Sequence, residues 1–431
     1  MKAYREYKDS GLPWAPNIPK GWEIIPIKHA YHFQTGATPP TKINEFFEGD
    51  NIWANISDLS SKIVNDSFKH ISDDALKVCS MSISPKGSLM FSFKLSVGIV
   101  AFCGCDMYTN EAIATFLKGK NDLNYLYYAG PYFIVKNSNE NIYGAKLLNQ
   151  DLINNAKIIL PPLPEQQAIA SFLDAKTKPI DDIIAKREKQ IELLEEMKSA
   201  IISRAVTKGL NPDAKMKDSG IEWIGEIPEE WTVMKTSFLF QLIGSGTTPS
   251  KNAPNYADEG LYWLQTGDFN DNYVNDTSRY ITDYAVQNTS ALKLFSKGCL
   301  VIAMYGASIG KLGILNIDCY TNQACCVLGK EKDILIKYAF YVYKAGREAL
   351  INESRGGGQP NISQDIISHF KIPVPPINEQ GYLIDYLDSE TSKIDSRIAK
   401  RRKQTELLQE YKQALITAAV TGKIDVRDYI S

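Results

Sequence analysis

The chain has 431 residues, of which 48 are basic and 50 acidic, giving a formal net charge of -2. This length exceeds the usual size of one domain, so we expect at least two hydrophobic cores. The near-neutral charge excludes binding of nucleic acid by bulk charge alone, and any such binding must come from local patches. No apolar run of about 18 residues could span a bilayer, and the N-terminus has no apolar signal core. We therefore expect a cytoplasmic protein without membrane contact.

The cysteines and histidines predict no metal site. Seven cysteines are an odd number, and their spacing fits neither a disulfide framework nor the paired CxxC geometry of zinc sites. We interpret them as small buried hydrophobes. His29 and His32 could share a helical face, but a third ligand is missing, so packing is the preferred interpretation.

The most informative feature is an internal repeat. The segment KDSGLPW (8–14) recurs as KDSGIEW (217–223), a shift of 217 - 8 = 209 residues that also places Trp22 on Trp231. The triplet Tyr-Thr-Asn at 108–110 recurs at 320–322. Each half of the chain therefore contains the same first module.

A second module follows in each half. The segment PPLPEQQ (161–167) recurs as PPINEQG (375–381), and the shift of 375 - 161 = 214 then continues without a gap to the AVT triplets at 205–207 and 419–421. The first modules mix short runs of Val, Ile, Phe and Tyr with Gly, Asn and Asp, which predicts strand-rich α+β domains. The second modules show heptad spacing, which predicts long helices.

Apolar residues recur at fours and threes in both second modules. The spaced positions are Ile169, Leu173, Ile180, Ile183, Leu194, Met197 and Ile201, with Lys176, Arg187 and Gln190 completing the frame, and then Leu383, Leu387, Ile394, Leu408, Tyr411 and Leu415, with Arg401 matching Arg187. Pro179 lies inside the first pattern, so we expect a break or new start near Thr177, whereas Lys393 at the matching position allows the second helix to continue.

Two interpretations of these apolar stripes remain open. Each helix could pack on its own domain, or the two helices could pair with each other as an antiparallel coiled coil, which the presence of two matched copies favours. If the paired region runs from 179 to 206, its 28 residues span roughly 42 Å, or about 12 base pairs of duplex DNA.

The order of modules closely resembles the specificity subunits of type I restriction-modification systems. The likeness covers nearly the whole chain, and its most specific features are PPLPEQQ and PPINEQG at the helix starts, AVTKG and AVTGK at the helix ends, and the IPxxW segments at Ile18 and Ile227. The resemblance implies the following division of the chain: an N-terminal segment at 1–16, target-recognition domains at 17–160 and 213–372, and conserved helical regions at 161–212 and 373–431.

The resemblance also implies function and partners. It implies a non-catalytic subunit that binds a bipartite double-stranded DNA target, with one half-site per recognition domain. Two methyltransferase subunits would dock on the helices and methylate adenine N6, and two restriction subunits are optional partners. No cofactor is implied for this chain, while S-adenosylmethionine, ATP and Mg²⁺ are expected on the partner subunits.

The chain lacks the catalytic motifs of a DNA methyltransferase or an ATPase. The chain has no NPP[YF] or DPP[YF] tetrapeptide, and 102–105 poorly approximates the FxGxG loop of methyltransferases. The segment GASIGK (306–311) is one residue short of a phosphate loop, and Leu312 stands where Ser or Thr should bind magnesium. Asp213 and Lys215 form a DxK fragment in a Pro/Asn linker, where chance explains it. We therefore expect no enzyme activity in this chain alone.

Polar, glycine-rich loops are the candidate DNA contacts, because glycine permits close backbone approach and the polar side chains can donate to phosphates. The loops are 35–42, 92–98 and 143–150 in the first domain, and 245–251, 305–311 and 355–364 in the second. The candidate contact residues are Thr38, Lys42, Ser92, Lys94, Lys146, Thr247, Thr248, Lys251, Ser308, Lys311, Arg355, Gln359 and Asn361.

These loops differ between the two copies, as expected of domains that read different half-sites, although loops that merely drifted apart would look the same. No arginine occurs between Arg5 and Arg187, so the first domain cannot use the common arginine–guanine contact. In the second domain, Arg355 is the preferred guanine or phosphate contact over Arg279 and Arg347.

Two other functions remain in competition. The chain could be a tandem DNA-binding scaffold unrelated to restriction, in which the coiled coil is a spacer. It could also be a stand-alone methyltransferase with duplicated recognition domains, although the missing catalytic motifs disfavour this. The rod estimate predicts half-sites about one helical turn apart, with an unread spacer of roughly five to eight base pairs.

Overall fold

The computed structural model describes residues 2–140, 144, 146–251, 253–354 and 361–429. The chain divides into two compact units, one formed by 1–187 with 403–431 and the other by 188–402. Each unit contains one α+β domain together with part of each of two long helices. No helix in the described ranges is both long and apolar enough to cross a membrane.

The first domain is built from short strands and helices. They are β1 (Tyr7–Asp9), β2 (Asn17–Pro19), β3 (Glu23–Pro26), α1 (Ile27–Ala30), β4 (Phe33–Thr35), β5 (Asn51–Ala54), β6 (Ile63–Val64), β7 (His70–Ile71), α2 (Asp73–Cys79), β8 (Leu89–Ser92), β9 (Val100–Cys103), β10 (Tyr108–Thr109), β11 (Ile113–Phe116), α3 (Leu123–Lys136), β12 (Asn139–Glu140), β13 (Lys146–Leu147), α4 (Gln150–Asn155) and β14 (Lys157–Leu160). Short 3-10 turns lie at Asn44–Phe47 and Ile56–Asp58.

A five-stranded sheet of order β4-β11-β8-β9-β6 forms the centre of this domain, with only β6 parallel to its neighbour. Side chains of β8 alternate between two cores, as the period of a strand requires. Phe91 joins the main core with Phe133 of α3, whereas Met90 faces a smaller core that includes Ala54. Because both faces are buried, the strands read as continuous apolar runs.

The long helix α5 (Leu163–Lys208) follows, and the second domain repeats the first. Its elements are β15 (Met216–Asp218), β16 (Glu226–Pro228), β17 (Thr232–Lys235), α6 (Thr236–Leu239), β18 (Phe240–Ser245), β19 (Tyr256–Ala257), β20 (Leu261–Leu264), β21 (Asn272–Val274), β22 (Tyr280–Ile281), α7 (Asp283–Asn288), β23 (Leu294–Phe295), β24 (Leu300–Ala303), β25 (Leu312–Leu315), β26 (Cys319–Thr321), β27 (Cys325–Glu331), α8 (Ile336–Ala345), α9 (Arg347–Asn352), α10 (Gln364–His369) and β28 (Lys371–Val374), before the second long helix α11 (Ile377–Val420). Two 3-10 turns lie at Ala253–Asn255 and Arg427–Tyr429.

The central sheet of the second domain has the order β18-β27-β24-β25-β21, again with only its last strand parallel. Along β24, Leu300 and Ile302 face one core, and Val301 and Ala303 face the other. The duplicated α+β fold predicted from the sequence repeat is therefore confirmed in strand order, strand direction and core alternation.

The predicted break near Thr177 is wrong, because α5 is continuous through Pro179. Tertiary contacts on the preceding turn explain this, since packing stabilises a helix more than local propensity does. Asp174 accepts hydrogen bonds from Lys62 and Tyr128, and the Tyr128 hydroxyl also lies 3.2 Å from that of buried Thr177. Pro179 therefore does not begin a helix, and the spacer length derived from a paired region at 179–206 stays a prediction. The second helix continues through Lys393, as predicted.

Within each unit the two helix segments run antiparallel, as predicted. In the first, Lys412 Nζ lies 2.6 Å from the Asp181 carboxylate, and Arg187 hydrogen-bonds to Gln404 over 2.5 Å. In the second, Lys198 Nζ lies 2.6 Å from the Asp395 carboxylate, and Arg402 donates to the Glu195 carboxylate over 2.9 Å. The Lys–Asp pairs occupy matching positions, since 395 - 181 and 412 - 198 both equal the repeat shift of 214.

The apolar stripe residues of each helix divide into two groups, one packed on the adjoining domain and the other in the region where the helices pair. Leu173 belongs to the core of the first domain and Leu387 to that of the second, so these turns pack on their own domains. Other stripe positions are exposed, among them Ile183, Met197 and Tyr411. The paired region is held by the ion pairs and hydrogen bonds described above, and the stripe residues Ile180 and Ile394 are buried within it.

The sequence signatures at the helix starts have structural roles. Glu165 accepts a hydrogen bond of 2.9 Å from the indole of buried Trp22, and Glu379 accepts one of 3.0 Å from Trp231. The next residue, Gln166 or Gln380, is buried and accepts from a backbone N–H of the adjacent domain over 2.9 and 2.8 Å respectively. The IPxxW and PPxxEQ motifs therefore connect each domain to a helix.

Candidate nucleic-acid interface

The three polar loops predicted in the second domain converge although they are distant in sequence. Gln364 Nε2 donates to Ser245 Oγ over 2.6 Å, which joins the third loop to the first. Tyr305 forms an isolated β-bridge with Asn361, and the Ile362 N–H donates to the Met304 carbonyl over 2.8 Å. These contacts join the middle loop to the third, so the loops form one surface.

The Tyr-Thr-Asn segment of the repeat lies against the first of these loops. A Cβ on Gly246 would stand 1.9 Å from the Thr321 carbonyl oxygen, so only glycine permits this approach. The Gly246 N–H donates to Thr321 Oγ1 over 3.0 Å, and the Thr248 hydroxyl donates to the Gln323 side chain. These two hydrogen bonds fix the 245–251 loop at Gly246 and at Thr248.

The first domain has the same arrangement. Gln150 Nε2 donates to Thr35 Oγ1 over 3.0 Å, matching the Gln364–Ser245 bond. A Cβ on Gly36 would stand 1.6 Å from the Thr109 carbonyl oxygen, matching Gly246. The Thr38 hydroxyl donates to the Glu111 carboxylate, matching Thr248 and Gln323.

Framework residues hold these loops in both domains. The indole of Trp53 donates to the Ala37 carbonyl over 3.0 Å, and that of Trp263 donates to the Thr247 carbonyl over 3.2 Å. Asp268 accepts from the backbone N–H groups of Gln265 and Ser278, as Asp58 does at the equivalent turn of the first domain. Trp53 and Trp263 stand 210 residues apart, as Asp58 and Asp268 do, so the two domains use matching residues as loop supports.

Most described members of the predicted contact set are accessible. The exposed ones are Thr38, Lys42, Lys94, Lys146, Thr248, Lys251 and Asn361, and the half-buried ones are Thr247, Ser308 and Lys311. Lys146 forms an ion pair with Glu140 across the β12–β13 hairpin. Thr38 and Thr248 lie at the convergent loops described above, and Asn361 lies at the bridge to Tyr305.

Ser92 does not fit a DNA contact. The residue is fully buried, its hydroxyl donates to the Ser96 carbonyl, and its Oγ accepts from the Ile99 N–H over 2.9 Å. These bonds close the 92–98 turn, so the hydroxyl has a structural role and we leave Ser92 out of the proposed contact surface. Its neighbour Lys94 is exposed on the same turn.

Some predicted positions lie outside the described residues. Arg355 and Gln359 fall in the segment 355–360, and residues 143 and 145 of the 143–150 loop also lie outside the described residues. Their predicted DNA contacts therefore stay predictions. Of the other two arginines that the sequence analysis named in this domain, Arg279 is exposed, whereas Arg347 is held by Asp271 over 2.5 Å.

Two carboxylates near these loops have perturbed acidity. A hydrogen bond from Thr38, with the positive charge of Lys94 contributing less, holds the pKa of Glu111 below its ordinary value. Burial raises the pKa of Asp271, but the hydrogen bond and charge of Arg347 more than offset this and the net pKa is lowered. Both groups are therefore anionic at neutral pH.

Glu111 and Gln323 are site residues that the sequence did not predict. Both are exposed, and both sit at the convergent loops through their threonine partners. The available signal was the repeat itself, because each residue directly follows a matched Tyr-Thr-Asn triplet yet differs between the copies. In the described parts of the chain, no cluster of His, Cys, Asp and Glu side chains could hold a metal ion.

The comparisons with known proteins fit this duplicated arrangement. The profile of the type I restriction modification DNA specificity domain matches residues 19–193 and again residues 228–407. The chain therefore belongs to the type I restriction-modification DNA specificity family, with two copies of its domain.

Individual relatives extend over nearly the full length. The type I restriction enzyme MjaIX specificity subunit of Methanocaldococcus jannaschii is 23% identical, covering 98% of this chain and 97% of its own. The MjaVIII specificity subunit of the same organism is 26% identical, covering 95% of both chains. A structure solved in work on complex assembly and conformational transition of the type I R-M system matches with a TM-score of 0.69 at 16% identity, over 94% of this chain and 99% of its own. That likeness supports the fold.

Proposed function

We propose that this chain is the subunit that directs a type I restriction-modification enzyme to a bipartite DNA target, with domains 17–160 and 213–372 each reading one half-site. One observation carries the proposal. Each domain gathers loops that are distant in sequence onto one accessible surface by matched hydrogen bonds, while an exposed residue beside those loops differs, Glu111 in the first domain and Gln323 in the second. A shared support with unlike contact residues is what two readers of unlike half-sites require.

The loop side chains supply the two kinds of contact that specific binding needs. Lys42, Lys94 and Lys251 are exposed cations that can neutralise phosphates and fix the position of the duplex. Asn361 and the paired threonines Thr38 and Thr248 are short polar groups that can reach phosphates or base edges. Contacts by Lys146, Thr247, Ser308, Lys311, Arg355 and Gln359 remain part of the proposal.

The catalytic steps are assigned to partner subunits in the cytoplasm. Two methyltransferase subunits bind S-adenosylmethionine and transfer its methyl group to adenine N6, and optional restriction subunits use ATP and Mg²⁺. The relatives are themselves named specificity subunits, which supports a non-catalytic role for this chain. Near-neutral net charge is compatible with this arrangement, because the partners supply further phosphate contacts.

The helices support docking of two identical partners. Leu193 and Met197 are exposed on α5 in the second unit, and Leu407 and Tyr411 are exposed on α11 in the first. The pairs occupy matching repeat positions, since 407 - 193 and 411 - 197 both equal 214. Equivalent apolar positions in each unit would give two copies of one methyltransferase equivalent binding sites.

Co-purification with activity measurement tests the proposal. The tagged full chain is expressed with its host methyltransferase, and the isolated complex is given labelled S-adenosylmethionine and host DNA. We expect a stable complex that methylates adenine in DNA, and no methylation by either component alone. Specific DNA binding without any methyltransferase in the complex would instead support a tandem DNA-binding scaffold. Methylation by this chain alone would contradict the division of labour.

A further inference from the structure

Glu111 and Gln323 form a natural comparison within one chain. Each follows a Tyr-Thr-Asn triplet, and each precedes an alanine whose carbonyl accepts a hydrogen bond from the equivalent loop, from Phe93 N over 2.9 Å or from Met304 N over 2.8 Å. The Asn side chain of each triplet accepts from that alanine N–H, over 3.1 Å in the first domain and 3.0 Å in the second. The backbone at the two positions is therefore held alike, and only the side-chain chemistry differs.

The two side chains are accessible and are held by the same partner. Both residues are exposed, and a threonine hydroxyl donates to one oxygen of each, from Thr38 to Glu111 and from Thr248 to Gln323. Holding a flexible side chain before binding reduces the entropy that binding would otherwise cost. An exposed side chain fixed at the point where the loops converge is arranged for recognition.

The chemistry of each group limits what it can contact. A carboxylate accepts hydrogen bonds but cannot donate them, and it is repelled by phosphates, so on a DNA-binding surface it must face a donor. The major groove presents two amino donors, cytosine N4 and adenine N6, and Glu and Asp accept from cytosine N4, because the N7 acceptor beside adenine N6 repels a carboxylate. A carboxamide accepts and donates at once, which matches the N6 and N7 pair of adenine.

We propose that Glu111 and Gln323 occupy equivalent base-reading positions, with Glu111 selecting the amino group of cytosine in one half-site and Gln323 selecting adenine in the other. The proposal rests on the proposed function, because it names the base chemistry read by each recognition domain. Thr38 and Thr248 act as positioning residues. Thr38 holds one carboxylate oxygen of Glu111 and leaves the other for the base, whereas Thr248 uses one lone pair of the Gln323 oxygen and leaves the second lone pair and the amide nitrogen for adenine.

The charge state of Glu111 agrees with this role. The hydrogen bond from Thr38 and the nearby charge of Lys94 lower its pKa, so the group stays an acceptor at neutral pH. In the described part of the chain, the amide nitrogen of Gln323 has no hydrogen-bond partner, and it can donate to a base. The two positions therefore differ in the property by which bases are distinguished.

Conservative exchanges test the proposal in the complete complex. The variants Glu111→Gln and Gln323→Glu are each expressed with the methyltransferase, and N6-methyladenine motifs are mapped by single-molecule sequencing. For Glu111→Gln we expect one position of one half-site to change from cytosine towards adenine or to become unselective, by roughly tenfold or more. For Gln323→Glu we expect the converse in the other half-site. Glu45→Gln, at an exposed residue of the same domain, is the control and should leave the motif unchanged.

The outcomes separate this inference from the proposed function. If the wild-type chain directs methylation to no bipartite motif, the proposed function fails. If it does so but both exchanges leave the motif intact, the base-reading assignment is overturned. A variant that abolishes methylation is tested for binding to duplexes substituted at each half-site position. Selective change at one position supports the assignment, whereas equal weakening on every duplex contradicts it.

Discussion

The two recognition domains share their supports and differ in their accessible chemistry. Both units share three supports. A glycine, Gly36 or Gly246, packs against the carbonyl of a Tyr-Thr-Asn segment, an indole, that of Trp53 or Trp263, donates to a loop carbonyl, and the central strands have the same order. The exposed residue that accepts from the loop threonine does not recur, because Glu111 bonds to Thr38 where Gln323 bonds to Thr248. The comparison shows that the residues supporting the loops match between the domains, whereas an exposed residue beside them differs.

A second contrast concerns charge inside the domains. The second domain holds Arg347 against Asp271 at the edge of its sheet, whereas the first has no arginine between Arg5 and Arg187. Val274 and Val64 occupy equivalent strand positions, 210 residues apart, and by the same offset the residue equivalent to Asp271 is Ser61. One unit therefore has an acid-sensitive ion pair that the other lacks, on a common strand framework.

Replacing either buried tryptophan should have the largest effect on stability. The two replacements should lower the free energy of unfolding equally if the two units are equivalent. Trp22 and Trp231 are both almost fully buried, and each indole is hydrogen-bonded to a helix glutamate. Replacing either by alanine should lower the free energy of unfolding by about 3–5 kcal/mol. Chemical denaturation of the purified chain measures this. Phe68→Ala, at a residue that is 90% exposed, should change it by less than about 0.5 kcal/mol.

Acid should distinguish the units through Asp271. Because its pKa is lowered in the folded state, its stabilisation is complete above the unfolded pKa of about 4 and is lost as the pH falls through the lowered value. Asp271→Asn should cost about 1–3 kcal/mol at pH 7 and progressively less towards that value. Unfolding measured from pH 7 to pH 3 tests the sign. A cost that is independent of pH would rule out the ion pair as its source.

The glycine approaches should affect DNA binding in both units. Alanine at Gly246 or Gly36 would bring its Cβ into the carbonyl of the Tyr-Thr-Asn segment, so the loop must shift at a cost of about 1–3 kcal/mol. We expect weaker binding of the specific duplex by the assembled complex, measured by fluorescence anisotropy. Gly267→Ala meets no atom within 4 Å and should bind normally. Equal effects at Gly246 and Gly267 would contradict the close-approach argument.

The exposed lysines should have the smallest and least selective effects. Lys42 and Lys251 follow the glycine turns of the first loops in their domains. Alanine at either should weaken binding uniformly across sequences and reduce the salt slope of log K by about 1. Titration at several salt concentrations measures the slope. Lys20→Ala, at a lysine paired with Glu6, is the control, and a selective loss on one half-site would assign Lys42 or Lys251 to base reading instead.

Much of the architecture was predictable, because residues that match between the two copies of a duplicated sequence identify the modules that the copies share. The repeat predicted two α+β domains and two matched helices, and the presence of two matched copies favoured antiparallel pairing over packing of each helix on its own domain. The continuity of α5 at Pro179 was not predictable, because it depends on Asp174 and Thr177 meeting side chains over 40 residues away in the chain. Local propensity contains no information on such contacts.

The candidate site was predictable only in part. Composition located the polar loops, but it could not show that Gln364 meets Ser245 or that Ser92 points inward. The Glu111 and Gln323 positions adjoin a motif that was recognised only as a repeat marker. Which loop residues are accessible depends on long-range hydrogen bonds, and a pattern of residue types does not determine those bonds.

The most direct measurement is single-molecule sequencing of host DNA with and without this gene, scoring N6-methyladenine motifs. The account predicts that one bipartite motif disappears on deletion and returns with the wild-type chain, with the two half-sites differing in sequence. Loss of a single continuous motif would contradict one half-site per domain. If no motif disappeared while the methyltransferase was expressed, the assignment of this chain as the specificity subunit would be wrong.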